Sequence, residues 1–217
     1  MGVWCRDFPE DKMPERLAAF LASVPFSSSR PGFTSLIIRA VNSAETPVLE
    51  EDLRAMSIDA AKVIELTQGN LLGDCSCEVG SHWDLWSFDA STGRAALSAQ
   101  PLTLVCNGEI YDEEIWREQG HFYVDLGFEH FFTGHAGVLS REGEKKPPES
   151  DEEAKFLEAM AWPDVLSAYR EKTRENVRKL FDWVRQVERT LPVDRVQFWS
   201  EGEENFEARI EEVLAAR

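Results

Sequence analysis

Cysteine is scarce in this chain of 217 residues, which contains only Cys5, Cys75, Cys77 and Cys106. Their small number and irregular spacing exclude the disulfide scaffold of a small secreted protein and fit a reducing compartment. Cys75, Cys77 and the downstream His82 form a C-x-C…H fragment. Structural zinc sites need four ligands, and no second pair is present here. We therefore interpret the fragment as a local turn with incidental cysteines.

Long apolar runs are also missing. The longest, from Leu17 to Phe26, is much shorter than the roughly 20 residues that span a bilayer. The first residues carry early acids and no basic-then-apolar signal pattern. Gly2 suggests myristoylation, but position 6 is Arg6 rather than Ser or Thr, so the motif fails. We expect a cytoplasmic protein without a membrane partner.

Basic residues are in deficit, with 23 Lys and Arg against 40 Asp and Glu and a net charge of −17. This balance argues against nucleic acid as a direct partner, because phosphate binding needs a basic surface. Residues 1–143 carry a net charge of −12 and residues 144–217 carry −5. Two interpretations remain open. The acids serve solubility, or they form a face complementary to a basic partner protein.

Signatures of the common catalytic classes are absent from the sequence. It contains no G-x-S-x-G nucleophile elbow, no P-loop and no G-x-G-x-x-G. The nearest approach to a nucleophile on a sharp turn is the segment from Cys106 to Gly108. However, Cys106 shares one face of a predicted strand with Leu102 and Leu104, which indicates a buried and inert thiol.

Hydrophobic periodicity predicts an α+β fold, with a mostly antiparallel sheet of about five strands flanked by helices and a helical C-terminal extension packed on it. Residues 33–41 are predicted as a strand, and residues 3–8 as an edge strand. A helix is predicted to start at Thr46 and to end near Gly69. The predicted domains are an α+β core over 1–140, a charged linker with prolines over 141–150, and the helical extension over 151–217, with an edge strand over 193–199.

The stretch 100–139 holds 3 of the 4 histidines and the clearest strand alternation in the chain. A strand is predicted from His121, continuing past a break at Gly127 as far as Phe132. Before it, Asp112 is predicted to cap a short helical turn that runs to Glu118.

The same stretch contains residue types that form mixed histidine and carboxylate metal sites. The spacing matches no established metal pattern, and a histidine in an aromatic strand is more often a hydrogen-bonded structural residue. We expect no cofactor and no bound metal. The candidate catalytic residues are His121, Asp125, His130 and His135, and the three histidines among them are the candidate metal ligands.

Aromatic residues exceed what one small sheet core needs. Some of them are expected at an interface or groove, where aromatic anchors concentrate binding energy. A larger core under two helical layers would need the same residues. The residues concerned are Trp83, Trp86, Trp116, Phe122, Tyr123, Phe128, Phe131, Phe132, Trp162, Trp183 and Trp199.

The leading hypothesis is a non-enzymatic, acidic protein-interaction module of a bacterial type. It would inhibit or sequester a basic partner protein, as an immunity or antitoxin protein does. Its predicted contact residues are Asp112, Glu113, Glu114, Trp116 and Glu118. The alternative is a small metal-dependent hydrolase or metal-binding enzyme built on the histidine cluster. A third hypothesis is a homodimer formed through an aromatic surface or an edge strand.

Overall fold

The computed structural model describes residues 1–55, 58–89, 93–135, 138, 148, 150–202 and 205–215. It confirms the predicted α+β class, with one sheet, flanking helices and further helices near the C-terminus. The sheet has seven strands rather than five, in the order β3-β2-β4-β5-β6-β1-β7. The strands are β1 (Gly2–Cys5), β2 (Phe33–Ala40), β3 (Leu49–Asp52), β4 (Cys75–Asp89), β5 (Arg94–Asn107), β6 (Phe122–Asp125) and β7 (Val193–Gln197).

Strand β2 is the part of the sheet that the sequence predicts best. It pairs antiparallel with β3 on one side and with β4 on the other. Leu36 lies opposite Val79 and Ile38 lies opposite Cys77, and all four side chains are buried. Alternating burial of β-branched and apolar residues on a pleated strand explains both the strand and its register.

Strand β1 is not at an edge as predicted. Val3 pairs with Phe122 of β6 on one side and with Val196 of β7 on the other, so β1 is internal. Both partners of Val3 are apolar, and all four residues of β1 are buried. The predicted edge strand near the C-terminus is confirmed as β7.

The helix predicted from Thr46 is wrong in its first half. Leu49–Asp52 forms β3, in which Leu49 pairs with Ile38 and Glu51 pairs with Leu36. Backbone pairing along the free edge of β2 outweighs the helical spacing of a few apolar residues. The helix forms only after Asp59, whose side chain accepts the Lys62 N–H at 2.9 Å.

Helices form near the C-terminus, within the predicted helical extension. Ser150 caps the first of them, because its Oγ accepts the Glu153 N–H at 3.1 Å. No helix of the described residues has both the length and the apolar character needed to cross a membrane. The helices are α1 (Met13–Ala22), α2 (Ala60–Thr67), α3 (Trp116–Gln119), α4 (His130–Thr133), α5 (Asp151–Met160), α6 (Pro163–Thr190) and α7 (Phe206–Ala215), with 3₁₀ turns at Glu10–Lys12 and Asp112–Glu114.

The strand predicted to continue beyond Gly127 is wrong, since this segment forms α4. The consecutive residues Phe131 and Phe132 are both buried, which a helical turn permits and a half-buried strand does not. Gly134, with a φ of 73°, ends the helix in a conformation that glycine adopts without strain.

The chain forms two compact units, each assembled from separated segments. The predicted linker lies outside the described residues except for Pro148 and Ser150, so the predicted domain boundaries stay a prediction. Unit 1 comprises Met1–Trp83, Ala99–Gly127 and Trp183–Phe198, and unit 2 comprises Asp84–Ser98, Phe128–Asp182 and Trp199–Arg217.

Unit 1 has an aromatic core between α1 and the sheet. The rings of Phe20 and Phe122 are stacked with centroids 4.2 Å apart. The indole of Trp183 packs against Phe20, and its Nε1 donates to Ser23 Oγ at 3.1 Å. These contacts fix β6 and the segment leading to it, where the predicted contact residues lie.

Candidate functional site

The segment from 108 to 118 is anchored in unit 1 at its first residues. Asn107 is buried, and its side chain accepts from Ser76 Oγ at 3.1 Å and donates to the Gly120 carbonyl at 3.2 Å. Gly108 follows, and any side chain there would overlap the Gly73 carbonyl oxygen. The close backbone approach explains the glycine and fixes the start of the loop.

The turn at Asp112–Glu114 is left-handed. Its three residues have φ values of 46°, 55° and 65°, although none of them is glycine. Asp112 does not cap a helix as predicted. Its N–H donates to the Val41 carbonyl at 2.8 Å, and its Oδ2 accepts the Ser43 N–H at 3.3 Å. Tertiary hydrogen bonds therefore hold a backbone conformation that costs free energy in isolation.

The predicted contact residues lie together on this segment, and they are called the acidic patch: Asp112, Glu113, Glu114, Trp116 and Glu118. The three glutamates are exposed, and Asp112 is half-buried. Two apolar side chains beside the same loop are also exposed, Ile110 at 66% and Val41 at 58%. The patch therefore combines ionised groups with solvent-exposed apolar surface, as protein-binding surfaces do.

Trp116 is the aromatic member of the acidic patch and connects it to the interior of unit 1. Its ring stacks on His121 with centroids 4.4 Å apart, and its Nε1 donates to the Glu109 carbonyl at 3.0 Å. Arg117 donates to Glu114 Oε2 at 2.5 Å and is the one base between residues 109 and 118. The indole thus links the exposed acids to the buried part of unit 1.

His121 is a structural residue of unit 1. It is 3% exposed and lies between the rings of Phe8 and Trp116. Its Nδ1 accepts the Cys5 N–H at 3.0 Å, which places the proton of the neutral ring on Nε2. Burial lowers its pKa to about 4, so the ring is neutral at neutral pH.

The four candidate catalytic residues divide between the two units. His121 and Asp125 belong to unit 1, and His130 and His135 belong to unit 2. Asp125 is exposed, and its Oδ1 accepts the Gly127 N–H at 2.9 Å. Within the described part of the chain, no group of three or more His, Cys, Asp or Glu residues is placed to hold a metal ion.

His130 and His135 line a cavity of about 360 Å³ in unit 2. The backbone N–H of His135 donates to the Tyr169 hydroxyl at 2.8 Å, and its Nε2 lies 3.4 Å from Glu153 Oε1. Sequence reasoning placed His130 on a strand and His135 beyond its end, and it associated neither with Tyr169 or Glu153. The spacing of Tyr169 on a helical apolar stripe was a signal for burial but not for a cavity.

The four cysteines are buried, and none is in a disulfide. Burial raises the pKa of the Cys5 and Cys77 thiols to about 12, and it also raises the pKa of the Cys106 thiol well above its usual value. Thiols that stay protonated at neutral pH are poor nucleophiles and poor metal ligands.

Comparisons with known proteins found no relative: no family model matches the chain, and no curated protein or solved structure matches it.

Proposed function

We propose that this protein is an acidic protein-interaction module whose acidic patch binds a basic partner protein. The observation that carries the proposal is the exposure of Glu113, Glu114 and Glu118 beside the exposed side chains of Ile110 and Val41. Protein interfaces commonly join apolar contacts at the centre to polar and charged groups at the rim. Ile110 would supply the apolar contact, and the glutamates would supply the charge.

The negative charge of this segment favours a positively charged partner protein. Residues 109–118 include five acidic residues and one basic residue, and that base, Arg117, is already paired with Glu114. A surface of one sign raises the association rate with an oppositely charged partner and disfavours like-charged proteins.

The conformation of the loop supports the same proposal. The turn is held before any partner arrives, because the Asp112 N–H donates to the Val41 carbonyl and the Asp112 carboxylate accepts the Ser43 N–H. A loop already held in one conformation loses less entropy on binding than a disordered one.

In this function the protein would inhibit or sequester its partner in the bacterial cytoplasm, as immunity and antitoxin proteins do. The partner would be a basic protein rather than a membrane or a nucleic acid. Covering the basic active surface of such a protein needs no catalytic group on this chain.

The test compares protein capture by three forms of the immobilised chain from a lysate of the source organism. These forms are the wild type, a patch variant with Glu113, Glu114 and Glu118 changed to Gln, and a control variant. The control carries the same charge change on the acidic strand β3, with Glu50→Gln, Glu51→Gln and Asp52→Asn. We expect the wild type and the control to capture one basic protein that the patch variant captures at least tenfold less.

The captured protein is then purified and titrated against the chain at increasing KCl. We expect Kd to rise with salt, because screening weakens the attraction between the charges. Ile110→Ser is expected to weaken binding at every salt concentration. Equal capture by the patch variant, or equal loss with the β3 control, would contradict the proposal.

A further inference from the structure

The cavity of unit 2 has walls of aromatic rings. Phe88 of β4, Phe156 of α5 and Tyr169 of α6 contact one another pairwise, with centroids 5.4–6.0 Å apart and interplanar angles of 76–86°. This is the edge-to-face arrangement that aromatic pairs prefer. A ligand ring placed against these walls would find the same geometry, so the cavity favours a planar aromatic group over an aliphatic one.

The lysine in the lining of the cavity already contacts an aromatic ring and a carboxylate. Lys172 Nζ lies 4.0 Å from the centre of the Trp86 ring and donates to Glu175 Oε1 at 2.8 Å. A cation held by an aromatic face and a carboxylate needs no further anion. The Trp86 ring already contacts this positive charge, and aromatic faces attract cations.

The polar lining of the cavity includes the carboxylates of Glu152 and Glu153. Both residues lie in the first turn of α5. Glu153 Oε1 lies 3.4 Å from Nε2 of His135, which also lines the cavity. Two carboxylates in the lining of an aromatic cavity present acceptors, so a ligand that complements them donates hydrogen bonds or carries positive charge.

We propose that this cavity is a binding site for a small aromatic amine. The ring of the ligand packs against Phe88, Phe156 and Tyr169, and its ammonium group binds Glu152 and Glu153. A volume of about 360 Å³ lies near the lower limit of small-molecule sites and suits a ligand of one or two rings. This site is separate from the acidic patch, and the proposal does not depend on the proposed function.

The first experiment uses isothermal titration calorimetry with 2-phenylethylamine as the probe. Phenylacetate keeps the ring and reverses the charge, and hexylamine keeps the charge and removes the ring. We expect 2-phenylethylamine to bind with a stoichiometry of one and each comparator to bind at least tenfold more weakly. No binding of the amine at millimolar concentration, or equal binding of either comparator, would overturn the proposal.

The second experiment tests the location with matched variants of α5. The site variant Glu152→Gln/Glu153→Gln removes two charges from the cavity. The control Asp151→Asn/Glu158→Gln removes two charges from exposed positions of the same helix that do not line it. We expect a loss of affinity of at least fivefold in the site variant and less than twofold in the control.

Phe156→Leu removes one aromatic wall of the cavity and keeps an apolar side chain. We expect this change to lower the affinity for the amine at least fivefold. Circular dichroism spectra and melting temperatures establish that each variant is folded before titration. Equal losses in the site variant and the control, or full affinity in Phe156→Leu, would show that the amine does not bind in this cavity.

Discussion

At the scale of single residues, His121 shows how burial determines what a histidine can do. Its ring accepts the Cys5 N–H and is packed between Phe8 and Trp116. Its Nε2 has no hydrogen-bond partner among the described residues. A ring in this environment resists protonation, because the charged form would lose water on both nitrogens and would lose the bond to Cys5.

His121 should therefore make the stability of the protein depend on pH. Its pKa is lowered from 6.5 to about 4 in the folded chain, so below pH 6.5 the unfolded chain binds a proton that the folded chain does not. Stability is full above pH 6.5 and falls as the pH drops toward 4, by at most roughly 3 kcal/mol from this group. We expect His121→Asn to remove this part of the pH dependence.

The measurement is urea unfolding of the wild type and His121→Asn at a series of pH values from neutral to acidic. The variant should be less stable than the wild type at neutral pH and should approach it as the pH falls. Parallel curves for the two proteins would show that His121 does not cause the pH dependence.

The residues of the candidate site could be predicted only in part from the sequence. The acids of the patch are adjacent in the chain, so their proximity on the surface follows from the sequence alone. The partner of His121 is 116 residues away, and the conformation of Asp112 depends on Val41 and Ser43. No local pattern reports such contacts, because they arise from the pairing of distant strands.

At the scale of secondary-structure elements, unit 2 depends on one buried amide. Asn176 of α6 is 1% exposed, and its Oδ1 accepts the Trp86 N–H at 2.8 Å. Its Nδ2 donates to the Trp86 carbonyl at 2.9 Å and to the Phe131 carbonyl at 3.1 Å. The side chain thus joins α6 to β4 and α4 through hydrogen bonds to their backbone groups.

We expect Asn176→Leu to destabilise the protein by about 3 to 5 kcal/mol. The change removes the hydrogen bonds that Asn176 makes to one N–H and two carbonyl groups. Each buried polar group that loses its hydrogen bond lowers the stability of the fold. Arg170→Ala on the exposed face of the same helix should change stability little. Chemical denaturation of the three proteins provides the measurement, and a small effect of Asn176→Leu would show that water replaces the amide.

Elements were predictable where the pattern of burial was local. Strand β2 and the start of α5 follow from alternation and from a helix cap, both of which lie within a few residues of the element. Strand β3 and helix α4 were not predictable in this way. Leu49–Asp52 becomes a strand because β2 offers an edge, and His130–Thr133 becomes a helix because two consecutive phenylalanines are both buried.

At the scale of the whole molecule, the net charge of −17 is distributed over both units. Unit 1 carries 20 acidic and 11 basic residues, and unit 2 carries 20 acidic and 12 basic residues. Like charges repel one another more strongly in the compact state than in the unfolded chain, so a charge far from zero destabilises the fold. The acids of the patch should therefore cost stability rather than supply it.

We predict that neutralising acids raises the melting temperature at low ionic strength. Glu113→Gln/Glu118→Gln on the patch keeps the Glu114–Arg117 pair, and Glu50→Gln/Glu51→Gln makes the same charge change on β3. Each double variant should melt a few degrees above the wild type in low salt. The gain should disappear near 0.5 M KCl, because the Debye length is then only about 4 Å.

The comparison between the two variants separates a general charge effect from a local structural one. Similar gains that both disappear in salt would mean that the patch acids contribute only their charge to the folding energy. The left-handed turn would then be maintained at a cost to stability, which is the pattern expected of residues kept for binding. A loss of stability in the patch variant alone would mean that Glu113 or Glu118 supports the fold, and it would weaken the assignment of the patch to a partner.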